Sequence, residues 1–135
     1  MKKVFVSYRF TGENLGELKK TILLVHDSLK KGGYAYYSTI FDIDQFKNEN
    51  WSGKKIMQKA FKEIDNSDFV LFFVKSPEVS QGMLLELGYC LAKHKKLVLV
   101  IKENIKESIF RRHIEKVIEF KTIEELNKTL SDLIL

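Results

Sequence analysis

The chain has one cysteine, one proline and seven glycines in 135 residues. A single thiol, Cys90, cannot form an internal disulfide, and its place in an apolar, helix-like run fits the core of a protein from a reducing cytoplasm. So little proline and glycine, with no serine-rich or glutamine-rich tract, excludes a long flexible connector. Long hydrophobic runs are missing too. The apolar stretch behind Met1-Lys2-Lys3 is interrupted at Ser7, Tyr8 and Arg9, so neither a signal peptide nor a membrane span is expected. There is no glycine-rich Walker loop and no GxGxxG fingerprint, and His26, His94 and His113 are too dispersed for a metal motif. No metal and no organic cofactor is expected; His94 reads as a helix C-terminal cation and His113 as a surface residue.

What is present bounds the answer from the other side. An apolar fraction of 44% in a chain of this length buries one core, so residues 1–135 read as a single domain. The formal charge is +5, but the lysine pairs (Lys19-Lys20, Lys30-Lys31, Lys54-Lys55, Lys95-Lys96) are scattered and alternate with acids. Such charges belong to solvated helix faces rather than a polynucleotide track. One phosphate-bearing small molecule is a better use of a mild positive field.

Residues 4–8 form a short apolar and aromatic run, after which Leu15, Leu18, Ile22, Val25 and Leu29 recur at helical spacing, giving strand then amphipathic helix. Gly32-Gly33 ends that helix, residues 34–40 read as a second strand, and residues 42–50 as a polar loop. Ser52 caps a helix carrying Ile56, Ala60, Phe61 and Ile64. Residues 69–74 are then apolar without alternation, as in a strand covered on both faces. A loop with Lys75-Ser76-Pro77-Glu78, a helix over residues 80–93 and an apolar run over 97–101 repeat the βα unit. A helical stretch over 107–115, a short strand over 117–120 and a capping box at Thr122 and Glu125 complete the pattern, with Leu126, Leu130, Leu133 and Ile134 as the last buried stripe. The fold expected is α/β: a flavodoxin-like (Rossmann-like) five-stranded parallel sheet with helices on both faces. Ligands bind such sheets beyond the carboxyl ends of the strands, which directs attention to the loops after Val6, Ile40 and Val74.

One residue in those regions is out of place. Glu86 stands among apolar neighbours in the first turns of a helix that follows a buried strand, in Ser80-Gln81-Gly82-Met83-Leu84-Leu85-Glu86-Leu87-Gly88. A charge there is costly without a partner or a task. Complementing the helix dipole or pairing with a lysine is the plain alternative. Gly82 and Gly88 weaken that alternative, because two glycines lower helix propensity with no local gain and point to close approach by a ligand or another backbone.

Three segments together, Phe5-Val6-Ser7-Tyr8-Arg9-Phe10-Thr11-Gly12-Glu13, Asp65-Asn66-Ser67-Asp68 and the stretch from Gly82 to Gly88, resemble the nucleoside 2-deoxyribosyltransferase superfamily. Within it the chain is most similar to the nucleoside 5′-monophosphate N-glycosidases. The resemblance spans most of the chain and implies that Glu86 is the nucleophile at the anomeric carbon, forming a glycosyl ester that water resolves. It implies a serine at position 80 for monophosphate hydrolases and an aspartate there for enzymes of free nucleosides. Ser80, with the amides near Gln81 and Gly82, is therefore a candidate phosphate site, beside its plain reading as an N-cap; Ser76 is a weaker candidate. The loop from Ser7 to Gly12 is expected to wrap the ligand, with Tyr8 or Phe10 stacking on the base, Arg9 reaching base or phosphate, and Met83 completing the wall. By the same resemblance Ser108, with Phe110 nearby, is supplied by a neighbouring subunit, which implies a homodimer with shared active sites.

Where many relatives carry an aspartate on the second helix, this chain has Ala60. Asp42 or Asp44 is the candidate replacement acid, or the base leaves unaided. The space left by a methyl favours a ribonucleotide such as CMP over a deoxynucleotide. The competing functions are a base-exchanging transferase and a TIR-like module that cleaves NAD or senses a nucleotide, since Phe-Val-Ser-Tyr also opens such modules.

Overall fold

The computed structural model describes residues 1–78 and 80–133. Its strands are β1 (Lys3–Tyr8), β2 (Ala35–Tyr37), β3 (Phe69–Val74), β4 (Lys96–Lys102) and β5 (Lys116–Phe120). They form one parallel sheet in the order β2-β1-β3-β4-β5, the flavodoxin-like arrangement, with the order reversing between β1 and β3. The unalternating apolar run forms β3, an interior strand whose residues are all buried. With helices on both faces, neither side of such a strand needs a polar residue.

The helices are α1 (Leu15–Lys31), α2 (Ile43–Asn48), α3 (Gly53–Asp65), α4 (Gln81–Ala92), α5 (Ile109–His113) and α6 (Glu125–Ser131). Leu18, Ile22, Val25 and Leu29 of α1 and Leu126 and Leu130 of α6 pack on one face of the sheet, with Val4, Val6, Leu71 and Val98. Ala60 and Ile64 of α3, Met83, Leu87 and Cys90 of α4 and Phe110 of α5 pack on the other face, with Phe5, Val70 and Leu99. The two-residue alternation of β1 thus sends Val4, Val6 and Tyr8 to one layer and Phe5 and Ser7 to the other. That parity aims Ser7 at α4.

Three local expectations are corrected. The second strand stops at Tyr37 instead of running to Ile40, and Thr39–Phe41 is a 3₁₀ turn. Buried Ser38 bonds His26 Nε2 at 3.1 Å, and the imidazole stacks on Tyr36 and Phe41 at centroid distances of 4.4 and 4.9 Å, which folds the chain inward there. The supposed polar loop contains α2, because Ile43 and Phe46 fall one turn apart and are buried. Its end is a Schellman motif. Asn50 is left-handed (φ 52°), Trp51 N–H reaches Phe46 O at 2.9 Å, and the Phe46 and Trp51 rings meet at 4.9 Å. Finally, α6 begins at Glu125 rather than just after Thr122: no side chain caps it, a turn closed by Glu125 N–H to Thr122 O at 3.2 Å precedes it, and the Glu125 carboxylate accepts the Lys121 N–H at 3.0 Å. Leu126 and Leu130 are buried and Leu133 packs against the same core, whereas Ile134 lies outside the described residues. No described helix is long and apolar enough to cross a membrane.

Candidate active site

The site forms where β1 and α4 meet. Ser80 caps α4, its Oγ accepting the Met83 N–H at 3.2 Å, and Glu86 follows on the second turn, facing the sheet. Ser7 Oγ donates to Glu86 Oε1 at 2.6 Å, a contact between residues 79 positions apart. Glu86 is only 8% exposed. Burial pushes its carboxyl up to about 7, against the opposing effect of the Ser7 hydrogen bond. Among the described residues no lysine or arginine forms an ion pair with it. That removes pairing with a lysine, one half of the plain alternative.

A cavity of about 160 Å³ opens over this pair, and Ser7, Tyr8, Phe10, Ser80, Gly82, Met83 and Glu86 all line it. Seven of the residues singled out in the sequence therefore converge on one space. Thr39, Ile56, Met57 and Ala60 also line it, with Phe5, Val6 and Thr11. Ala60 stands where the resemblance places an acid in other members, so the cavity wall there is a methyl group. A larger chamber of about 370 Å³ shares Tyr8, Phe10, Thr39 and Ile56 and continues to Phe46, Lys47 and Trp51.

The two aromatic candidates differ in freedom. Tyr8 is buried, its hydroxyl 3.0 Å from Thr39 Oγ1, and burial raises the phenol to about 12, the Thr39 bond opposing and the Glu86 charge adding to the rise. It is a neutral, fixed wall. Phe10 is 42% exposed and borders both spaces, so its ring is free to cover a ligand.

The flanking glycines have separate roles. Gly82 lines the cavity, and a Cβ there would meet only Ser80 Oγ and a Met57 methyl at ordinary distances, 3.8 and 3.9 Å. Gly88, two residues past Glu86, faces the opposite side of the helix, and a Cβ there would meet nothing within 4 Å. Only the first can serve the cavity.

Arg9, Gly12, Ser76, Ser108 and Phe110 lie off to one side. Arg9, Ser76 and Phe110 border a small pocket that shares Tyr8 and Met83 with the Glu86 cavity. Ser76, Ser108 and Phe110 border a further cavity of about 230 Å³, where Ser108 Oγ caps α5 by accepting the Phe110 N–H at 3.2 Å. Gly12 (φ 82°) supports the folded-back Arg9 side chain. Asp42 and Asp44 are not in the lining of the Glu86 cavity. Asp42 accepts the Tyr37 hydroxyl at 2.5 Å, and Asp44 is exposed in the first turn of α2. The sequence reading puts both in a loop, and the helix that forms instead points them elsewhere.

Thr39, Met57 and Trp51 were not anticipated. The helical spacing of Met57 with Ile56 and Ala60 carried a usable signal, but Thr39 and Trp51 reach the site through a turn and a helix that the sequence hides. His94 takes the left-handed position after α4 (φ 54°), with Lys95 N–H reaching Cys90 O at 3.0 Å, which ends that helix.

Comparison with known proteins gives a consistent fold. The Clostridium botulinum CMP N-glycosidase superposes with a TM-score of 0.69 at 20% identity, covering 96% of this chain and 97% of that one. A 2-deoxyribosyltransferase from Bacillus psychrosaccharolyticus gives 0.64 at 16% identity, covering 95% of each. The SEFIR domain of IL-17 receptor B gives 0.57 at 11% identity, covering 96% of each, so the fold alone does not select an activity. No curated protein sequence matches the chain. The model of the nucleoside 2-deoxyribosyltransferase family, however, matches residues 10–121, most of the length, and the chain belongs to that family.

Proposed function

We propose that this protein hydrolyses the N-glycosidic bond of a nucleoside 5′-monophosphate to free base and sugar 5-phosphate. The observation that carries the reading is Glu86, a buried carboxylate with no cationic partner among the described residues, held by Ser7 at the wall of a cavity. A Glu86 oxygen attacks C1′ as the C1′–N bond breaks, and the electron pair leaves with the base, which takes a proton from water. Water then cleaves the glycosyl ester at C1′, and Glu86 is regenerated as the carboxylate. Ser7 orients the attacking group.

The base fits the chamber beyond Phe10, and the 5′-phosphate fits the side where Ser80 and Arg9 lie. The methyl of Ala60 in the wall leaves room for a 2′-hydroxyl and favours CMP, or a related pyrimidine ribonucleotide. A homodimer suits the outer face of α4, where Leu85 is 57% exposed, Leu91 39% exposed and Gly88 open to a partner backbone. In that dimer Ser108 completes the neighbour's phosphate site, while Phe110, buried against the sheet, anchors the start of α5 beneath it.

Incubation with a panel of nucleoside monophosphates, nucleosides and NAD, followed by chromatography of the released base, tests the reading. CMP is expected to be the better substrate, ahead of dCMP; strong preference for dCMP overturns the sugar assignment, and cleavage of NAD alone overturns the substrate class. Incorporation of a labelled base into nucleotide would mark a transferase instead.

A further inference from the structure

Beside the Glu86 cavity, with Tyr8 and Met83 bordering both, lies a knot of charge of which the reading above uses only Arg9. Arg9 and Glu13 come from the loop between β1 and α1, and Lys75 directly follows β3. Because β1 and β3 are paired, with Tyr8 opposite Phe73, these loops leave the sheet together at the point where the strand order reverses. One oxygen of Glu13 accepts from Arg9 Nη1 at 2.9 Å, and the other faces Lys75 Nζ at 3.2 Å. The Glu13 side chain is 13% exposed, less than either cation.

Gly12 makes the arrangement possible. Its φ is 82°, and a Cβ there would stand 2.9 Å from Arg9 Nη2. Any side chain would push the guanidinium away from Glu13. Partly exposed ion pairs add little to stability, so fold stability alone is a weak reason to hold one carboxylate between two cations at a strand-end pocket. An anion binding there would meet both cations already converging. It would also have to displace Glu13, and it would approach a rim carrying Glu78, whose carboxyl is lowered by the Ser76 hydrogen bond and by Arg9.

We infer that Glu13 is a built-in stand-in for the substrate phosphate: it fills the anion position between Arg9 and Lys75 in the free protein and competes with the phosphate for both. The inference rests on the monophosphate reading and adds Lys75 and Glu13 to it as specificity residues. A phosphate dianion carries more charge than a carboxylate and engages both cations through several oxygens, so it displaces Glu13. A neutral nucleoside has nothing to exchange. Glu13 thus raises the threshold for weak anions, while Lys75 adds affinity for phosphate.

The test uses the full chain and its Glu13→Gln and Lys75→Met variants, with inorganic phosphate binding followed by calorimetry and KM measured for CMP and cytidine. Glu13→Gln is expected to tighten phosphate about tenfold and to raise the cytidine-to-CMP ratio of KM about tenfold; Lys75→Met moves both the other way. Glu13→Ala, checked for an unchanged melting profile, should follow Glu13→Gln. Weaker phosphate binding in folded Glu13→Gln overturns the inference, because it would mean that Glu13 only positions Arg9. Absence of phosphate binding in all variants overturns it too. If phosphate binding responds as expected but neither CMP nor cytidine is cleaved, the inference stands and the glycosidase reading fails.

Discussion

Ser7 and Glu86 set the chemistry at the scale of single residues. A carboxyl raised to about 7 is half ionised at neutrality and increasingly so above it, so kcat/KM is expected to rise with pH through about 7 and then level off. The Ser7 hydroxyl stabilises the charged form, so in Ser7→Ala the rising limb moves to higher pH, which a pH–rate profile reads directly. An unmoved limb would show that Ser7 does not tune the nucleophile. Glu86 was legible in the sequence because it is a charge in an apolar helix. Its partner was not, since no local pattern reveals a contact formed only when β1 lies against α4.

At the scale of elements, α4 concentrates several demands in one helix. Ser80 both caps it and lines the cavity, and substitutions can separate these roles. Ser80→Ala should lower stability by about 1 kcal/mol through the lost cap. Ser80→Asp caps equally well yet places a carboxylate beside the proposed phosphate, so urea denaturation should be unchanged while KM for CMP rises and that for cytidine does not. Equal changes for both substrates would argue that position 80 does not read the phosphate. The central strands β3 and β4 were readable because their apolar runs are unbroken, and α1, α3 and α4 because their caps and spacing agree, whereas the short edge strand β2 has no such run to mark its end. By contrast, α2 has only two buried residues, Ile43 and Phe46, among polar ones, and its stop signal is Asn50 rather than glycine. The Trp51 chamber was hidden with it.

For the whole molecule, two buried titratable groups act in opposite senses. The Glu86 pKa is raised in the folded state, so its contribution is present below about pH 4.5 and is lost as pH rises to about 7. His26 is lowered to about 4, chiefly by burial, and its Nδ1 has no hydrogen-bond partner among the described residues; its contribution is present above about pH 6.5 and is lost as pH falls. Each amounts to about 3 kcal/mol, so the slopes nearly cancel between pH 4.5 and 6.5. His26→Gln, which can still bond Ser38, should expose the Glu86 slope as stability that falls with rising pH in urea titrations; a flat profile would contradict the assignment. Assembly is a second whole-molecule property. Leu85→Glu on the apolar face of α4 is expected to convert a dimer to a monomer in sedimentation experiments, and an unsubstituted protein that is already monomeric would remove the shared-site proposal.

The most direct measurement is the hydrolysis rate of Glu86→Gln, a variant that keeps the side-chain shape and a hydrogen-bonding partner for Ser7. The expected result is CMP cleavage reduced by at least about 10³-fold with CMP still bound. Cleavage within about tenfold of the unsubstituted protein would contradict a covalent role for Glu86.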